Sequence, residues 1–343
     1  MNSDALQGRR SFVAGSAIAL AGLSLGGLMM ASARAAGEVA GATSPVFGAL
    51  KTIDAGDLRV AYAELGPANG PAVVLLHGWP YDIHAFAEVA PRLATAGCRV
   101  IVPYLRGYGA TRFLSGDTPR NGQQAAVAAD ILALLDALHI EQATIGAFDW
   151  GARTGCIMAA LWPERVRGLV SVSGYLIGNP KINAKSSTAA AEFAWWYQSY
   201  LCTDRGRDGY AADPVGFNRF IWQQASPRWR FDEATYLRSA QAFANPDHAA
   251  IVVHNYRWRV GLVPGEARFD ALEARLVLAP TIAVPTITME GDANGAPHPA
   301  PAAYRAKFTG TYAHRQLDGG IGHNLPQEAP QAFAQAVLDV TRQ

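Results

Sequence analysis

Short apolar runs alternate along this chain with longer segments of helical period. The runs at 59–65, 72–76, 99–102, 143–147, 169–173, 286–289 and 312–317 read as strands. Val73-Val74-Leu75-Leu76 is apolar at every position, the mark of a strand covered on both faces. Helical period marks 83–96, 123–138, 150–162 and 330–342; in the second of these Val127, Ile131, Leu134, Leu135 and Leu138 fall on one face. Strands and helices in alternation predict an α/β fold with a doubly wound, mostly parallel sheet. Pro285 stands at the start of its strand, where a missing donor is tolerated. About a hundred residues separate the strand at 169–173 from that at 286–289, far more than a connection needs. Helical patterns at 188–201, 214–224, 232–244 and 246–258 fill that gap and predict an inserted helical cap. The expected organisation is a core at 36–175, a cap at 176–280 and the rest of the core at 281–343. The site is expected beyond the carboxyl ends of the strands, beneath the cap.

The first 35 residues read differently. Arg9-Arg10 precedes a Gly- and Ala-rich apolar stretch to Met30, and Ala33-Arg34-Ala35-Ala36 offers small residues for cleavage. This is the pattern of a twin-arginine export signal at 1–35, and it predicts a periplasmic or secreted protein with no membrane anchor left after cleavage. A membrane anchor of about eighteen residues is the competing reading; the glycines, the serines and the cleavage site favour removal. Without residues 1–35 the chain has 308 residues, with 26 Lys and Arg against 27 Asp and Glu. That size suits one core with an inserted cap, and the lack of a basic stripe argues against nucleic acid as a partner. Cys98, Cys156 and Cys202 are odd in number and show no Cys-x-x-Cys spacing, so neither a disulfide framework nor a zinc site is expected. No phosphate-cradling glycine loop or metal-ligand cluster stands out, and no cofactor or metal is expected. The oligomeric state is left open.

Chemistry concentrates at Gly146-Ala147-Phe148-Asp149-Trp150-Gly151, where an apolar run ends and a helical pattern starts. A side chain on a strand–turn–helix elbow stands clear of the sheet, with the amides of the next helix turn pointing at it. Asp149 occupies the place where a serine hydrolase carries its hydroxyl. A carboxylate ionised at neutral pH attacks carbon without an activating base, which points to alkyl transfer onto Asp149. A helix N-cap is the bland reading of the same residue. Two further segments weigh against it. The buried strand at 72–76 runs into the tight turn His77-Gly78-Trp79-Pro80, and Gly319-Gly320-Ile321-Gly322-His323 follows the strand at 312–317 with enough glycine to fold back. His323 is the candidate general base, last in the order nucleophile, acid, histidine; His77 is the weaker candidate because its position belongs to the turn. Residues 36–343 contain no Gly-x-Ser-x-Gly elbow, which disfavours a serine esterase.

His77-Gly78-Trp79-Pro80, Arg106-Gly107-Tyr108-Gly109, Phe148-Asp149-Trp150-Gly151 and Gly322-His323 resemble, in kind and order, the α/β-hydrolase branch that holds epoxide hydrolases and haloalkane dehalogenases. The resemblance implies an oxyanion hole made by the backbone N–H groups of Trp79 and Trp150. It favours an epoxide hydrolase through the cap. Trp196-Tyr197-Gln198-Ser199-Tyr200 and Asn255-Tyr256-Arg257 are similar to the runs in which Tyr197 and Tyr256 would each donate a hydroxyl to the epoxide oxygen, although the second run lacks one intervening residue. Phenols suit the task, because a ring-opened alkoxide leaves readily only when hydrogen-bonded and then protonated. Packing of the cap interior is the competing reading of these aromatics.

The family pattern Gly-x-x-Asp falls on Gly291-Asp292-Ala293-Asn294 and expects its acid at position 294. Asp292 is the preferred acid to orient His323, with Asn294 as the alternative and Glu290 as a further carboxylate close by. After the strand at 169–173 come only Ser173, Gly174 and Tyr175. A dehalogenase would need two N–H donors for a departing halide, the Trp150 indole with Trp195, Trp196, Trp222 or Trp258. Asn294 leaves a third class open, a weakly active or non-catalytic binding protein on the same fold. The implied reaction takes a small apolar epoxide and water to a diol through a covalent Asp149 alkyl-ester, hydrolysed by His323-activated water. A haloalkane is the alternative substrate.

Overall fold

Branched side chains covered on both faces build the centre of the sheet: Val73 to Leu76 and all of residues 143–147 are buried. The structure is a computed structural model and describes Thr43, Ser44 and residues 46–343; the expected leader at 1–35 lies outside the described residues. Strands β1 (Lys51–Ala55), β2 (Leu58–Leu65), β3 (Ala72–Leu76), β4 (Arg99–Pro103), β5 (Ala143–Ala147), β6 (Val166–Val172), β7 (Thr286–Gly291) and β8 (Tyr312–Leu317) lie side by side in the order β1-β2-β4-β3-β5-β6-β7-β8. A short strand, Arg112–Phe113, also pairs with β2. The β1–β2 hairpin and the β2–β4 pair are antiparallel, and every other neighbour on this path is parallel.

Helices α1 (Val89–Thr95), α2 (Gln124–Ala137) and α3 (Asp149–Leu161) follow successive parallel strands. The faces of β5 show how the sheet is covered. Ile145 meets Gly155 of α3, whereas the next residue, Gly146, backs onto Val337 and Phe333 near the C-terminus. Between β6 and β7 run α4 (Pro180–Asn183), α5 (Ala189–Ala194), α6 (Trp196–Cys202), α7 (Asp204–Ala212), α8 (Pro214–Ala225), α9 (Glu233–Ala240), α10 (His248–Arg259) and α11 (Asp270–Leu276), which fill the insertion expected there. The chain closes with α12 (Pro301–Tyr304), α13 (Leu325–Glu328) and α14 (Pro330–Thr341). The fold is the α/β, doubly wound, mostly parallel sheet that alternation predicted. No helix among the described residues is long and apolar enough to cross a membrane.

Several elements differ from expectation for physical reasons. The helix expected at 83–96 divides into a 3-10 turn at Ile83–Phe86 and α1. Pro91 cannot occupy a helix interior, and starting α1 at Val89 leaves it in the first turn, where its missing N–H costs nothing. The helix expected at 188–201 breaks at Trp195. Helix α7 was not expected at all. It contains Gly206 and Gly209, poor helix formers, and starts under a Thr203 cap that accepts the Gly206 N–H at 2.8 Å. Helix α11 was also not expected, and it ties the inserted helices to the core: Glu273 accepts the Ala125 N–H at 3.1 Å and the side-chain amides of Gln123 and Gln124.

Two buried polar clusters fix the loops around the sheet. Arg106 is 1 % exposed; it grips Asp130 of α2 through Nε (2.6 Å) and Nη2 (2.7 Å) and donates to the Asn121 carbonyl at 2.6 Å. Its motif is therefore structural. Near the N-terminal arm, His84 Nδ1 meets Asp82 Oδ2 at 2.6 Å and His84 Nε2 meets Ser44 Oγ at 2.8 Å, all three residues buried. Ser44 Oγ also accepts the N–H groups of Val46 and Phe47, so the cluster latches the arm.

Candidate active site

Pairing of β3 with β5 sets Leu76 beside Ala147, so the two strands run out side by side into the segments that hold the site. Phe148 keeps extended backbone, and Asp149 takes left-handed φ at 52° as α3 begins. A non-glycine residue there is strained by about 1–3 kcal/mol. Two glycines make the geometry possible. A Cβ on Gly151 would come within 2.1 Å of the Leu76 carbonyl, and one on Gly78 within 2.3 Å of Asp149 Cβ. The close approach brings two backbone donors onto one carboxylate oxygen. Asp149 Oδ1 accepts Trp79 N–H at 2.8 Å and Trp150 N–H at 2.7 Å. Asp149 Oδ2 faces His323, whose Nε2 stands 3.3 Å away. Burial pushes the Asp149 carboxyl up, but the His323 hydrogen bond and charge, the Arg153 charge and the Trp150 N–H outweigh it and hold it below the ordinary carboxylate range.

The loop that carries His323 is pinned from both sides. Ser226 Oγ accepts the His323 N–H at 3.0 Å and donates to Glu328 at 2.7 Å; Glu328 in turn accepts Gly322 N–H (2.7 Å) and Asn324 N–H (3.1 Å). Burial raises the Glu328 carboxyl despite these donors. The ring itself lies between Tyr81 and Phe148, with centroids 6.0 and 6.3 Å away. Its Nδ1 is buried and has no hydrogen-bond partner among the described residues.

That finding corrects the expected acid. Asp292 is exposed and does not reach His323. Its carboxylate collects the N–H groups of Gly319 (3.2 Å), Gly320 (2.8 Å) and Ile321 (3.0 Å), because positive φ at both glycines turns these donors inward. Asn294, the alternative, is engaged elsewhere: its amide donates to Glu290 at 2.7 Å and its carbonyl accepts Ala296 N–H at 2.9 Å. Glu290 is buried against Asn294 and the Gly291 N–H.

Tyr197 of α6 and Tyr256 of α10 both line the cavity over Asp149 and His323, their rings 5.7 Å apart. Burial, reinforced by nearby anionic groups, pushes both phenols up, so they remain donors. Trp79 and the two tyrosines form one aromatic cluster, with centroids 5.3 and 5.1 Å from the Trp79 ring. The Trp79 indole donates to Tyr210 OH at 2.9 Å, that hydroxyl meets His248 Nε2 at 2.8 Å, and His248 Nδ1 meets the Gly107 carbonyl at 2.9 Å. The expected halide donors divide. Trp222 donates to the Pro80 carbonyl (2.7 Å) and Trp196 to Gln224 (2.8 Å), while the Trp150 indole is buried without a partner. Trp195 lines the cavity, and Trp258 is buried outside its lining.

His77 is buried and neutral. Desolvation pulls it down to about 4, and its Nε2 accepts Leu105 N–H at 3.2 Å, a structural task in the turn. Burial pushes Cys156 up to about 11, so it is inert. Among the described residues no group of three or more metal-ligating side chains gathers. Sequence reasoning missed Ser226 and Glu328, which no local pattern marks. It also passed over Arg153 and Arg259, two cavity residues that stand at helical spacing from Asp149 and Tyr256.

The α/β-hydrolase fold family matches this chain at residues 71–205. The solved structure of a "putative epoxide hydrolase" from Klebsiella pneumoniae is 59% identical and superposes with a TM-score of 0.86, covering 87% of this chain and 99% of that one. Epoxide hydrolase 3 of Siraitia grosvenorii is 33% identical over 206 residues, 53% of this chain and 64% of its own length. A haloalkane dehalogenase of Mycolicibacterium paratuberculosis is 31% identical over 145 residues, 41% of this chain and 45% of its own length. These two alignments thus span between about half and two thirds of the curated relatives. With the elbow, the strand order and these relatives together, the chain belongs to the α/β-hydrolase family, in the branch of epoxide hydrolases and haloalkane dehalogenases.

Proposed function

We propose that this protein is a hydrolase that opens an epoxide to a diol through a covalent ester on Asp149. The observation that carries the reading is the division of labour between the two carboxylate oxygens. Oδ1 is held by two backbone N–H groups, and Oδ2 faces His323 in the cavity that Tyr197 and Tyr256 also line. Oδ2 attacks an epoxide carbon from the side opposite the C–O bond. The bond breaks toward oxygen, and the phenols hydrogen-bond the developing alkoxide and supply its proton. Oδ1 is then the ester carbonyl oxygen. His323 Nε2 takes a proton from water, the hydroxide adds to the ester carbonyl, and the charge that develops on Oδ1 already faces Trp79 and Trp150 N–H. Donors placed in advance where charge appears are typically worth roughly a hundredfold or more each in rate. Collapse expels the diol oxygen, which takes the remaining proton of the added water; the imidazolium returns its proton to the phenolate, and the carboxylate is restored. The twin-arginine pattern supports export as part of the same reading.

A single turnover in heavy-oxygen water tests the scheme. The heavy atom should enter the Asp149 carboxyl group and leave the first diol unlabelled; label in that first diol with none in Asp149 would falsify the covalent route. Haloalkane dehalogenation remains the second reading, on one observation: the unpartnered Trp150 indole is a donor awaiting an acceptor. Against it, Trp196 and Trp222 have their indoles committed. Measuring diol and halide release side by side separates the two, and diol without halide is the expected result.

A further inference from the structure

Two guanidinium groups, of Arg153 and Arg259, line the cavity over Asp149 and take no part in the chemistry above. Arg153 stands one helical turn beyond Asp149 on α3, and Arg259 three residues beyond Tyr256 on α10, so each shares a helix face with a residue of the site. Arg153 is only 8 % exposed. Its one hydrogen bond among the described residues is long, 3.4 Å from Nη1 to Asn255 Oδ1, and its Nε is buried with no partner. Arg259 lies against Trp195, its guanidinium carbon 5.3 Å from the ring centre.

Burial of a cation without a counter-ion is unfavourable by several kcal/mol or more. Other arginines of this protein avoid that situation: Arg106 is paired with Asp130, and Arg257, two residues before Arg259, with Asp204. Neither Arg153 nor Arg259 has such a partner among the described residues. Asp149 is the one carboxylate lining the cavity among the described residues, and its oxygens are already engaged by Trp79, Trp150 and His323. Burial and the nearby Arg259 pull the Arg153 guanidinium down to about 10, the direction expected of a cation short of negative charge. The cavity therefore presents two cations against one occupied anion, and one guanidinium N–H of Arg153 is buried without a partner.

We infer that the substrate carries a carboxylate, held by Arg153 and Arg259 while its electrophilic carbon stands over Asp149. The inference deepens the epoxide reading and rests on it for the identity of the electrophile. It also replaces the expectation of a purely apolar substrate. A guanidinium fork matches a carboxylate geometrically, and the ion pair would form in a cavity walled by aromatic rings, where charges attract more strongly than in water. Four residues of α-helix rise about 6 Å, so a short-chain epoxy acid is the scale of molecule that spans from Asp149 to Arg153.

Glycidate and glycidamide are near-isosteres that differ in charge. With the purified protein, kcat/KM should favour glycidate more than tenfold, mainly through KM. Arg259→Gln should bring that ratio toward one; Arg259 is partly exposed, so the variant retains its fold. Hydrolysis of glycidamide at a rate equal to or above that of glycidate overturns the inference and leaves the epoxide reading standing. If neither epoxide is opened, the epoxide reading fails, and calorimetry with butyrate against butyramide decides the anion question by itself. Butyrate binding at least tenfold tighter supports the inference; equal or undetectable binding of the two overturns it.

Discussion

Asp149 and His323 meet across 3.3 Å, yet they are held by opposite means. Asp149 is fixed by backbone: two paired strands, a left-handed turn, two glycines with no room for a Cβ, and two main-chain donors on one oxygen. His323 is fixed by side chains acting on its loop, Ser226 and Glu328 below and Asp292 behind, while the ring's far nitrogen has no partner. Backbone placement leaves little freedom for the Asp149 carboxylate. Loop placement leaves the imidazole oriented by packing between Tyr81 and Phe148 and by its contact with Asp149. The lesson is that, under the proposed mechanism, the two half-reactions rest on structures of unequal stiffness, so they should respond differently to substitution.

The sharpest way to test that inequality is His323→Gln. Alkylation should proceed and ester hydrolysis should fall by about a thousandfold, within the range for loss of a general base. Intact-protein mass spectrometry should then show a stable adduct, and failure to trap one with an epoxide that the unmodified protein consumes would contradict the assignment. Next in size come the phenols. Tyr197→Phe and Tyr256→Phe should each slow alkylation roughly ten- to a hundredfold and leave ester hydrolysis nearly unchanged. Slowing of the second step instead would place the tyrosines on the wrong side of the comparison.

Acid should find weak points elsewhere. His77 and His248 are both buried and pulled down from 6.5 to about 4. The unfolded chain binds these protons more readily than the folded one, so stability is complete above pH 6.5 and lost as the pH falls toward 4. Each histidine should remove up to about 3 kcal/mol over that window. Denaturant midpoints measured at pH 7 and pH 4.5 check it; a stability unchanged between them contradicts the burial argument. The smallest effect belongs to Asp292→Ala. Loss of its loop contacts should reduce turnover by no more than several-fold. If Asp292 oriented the histidine, the loss would be on the order of ten-thousandfold, as for a triad acid.

What was legible in the sequence follows from how local each signal is. The run from Val73 to Leu76 and the elbow around Asp149 are written in consecutive residues, so strand, turn and backbone donors could all be placed. The position of His323 was legible for the same reason. Asp292 was misjudged because the nest that captures it is formed by residues 319–321, which meet it only in the folded loop. Helix α7 stayed hidden behind two glycines, since its stability comes from packing and a Thr203 cap rather than propensity. Arg153 and Arg259 were visible as helical neighbours of site residues, but nothing in the sequence says that a charged side chain will be left without a counter-ion.

The line from the Trp79 indole through Tyr210 and His248 to the Gly107 carbonyl joins α7 and α10 to the loop after β4 by way of the residue whose own amide holds Asp149. The cap helices α7 and α10 and one of the two residues whose amides hold Asp149 are thereby linked through side chains. Under the proposed mechanism, movement of α7 or α10 would reach the Trp79 residue through the same three contacts.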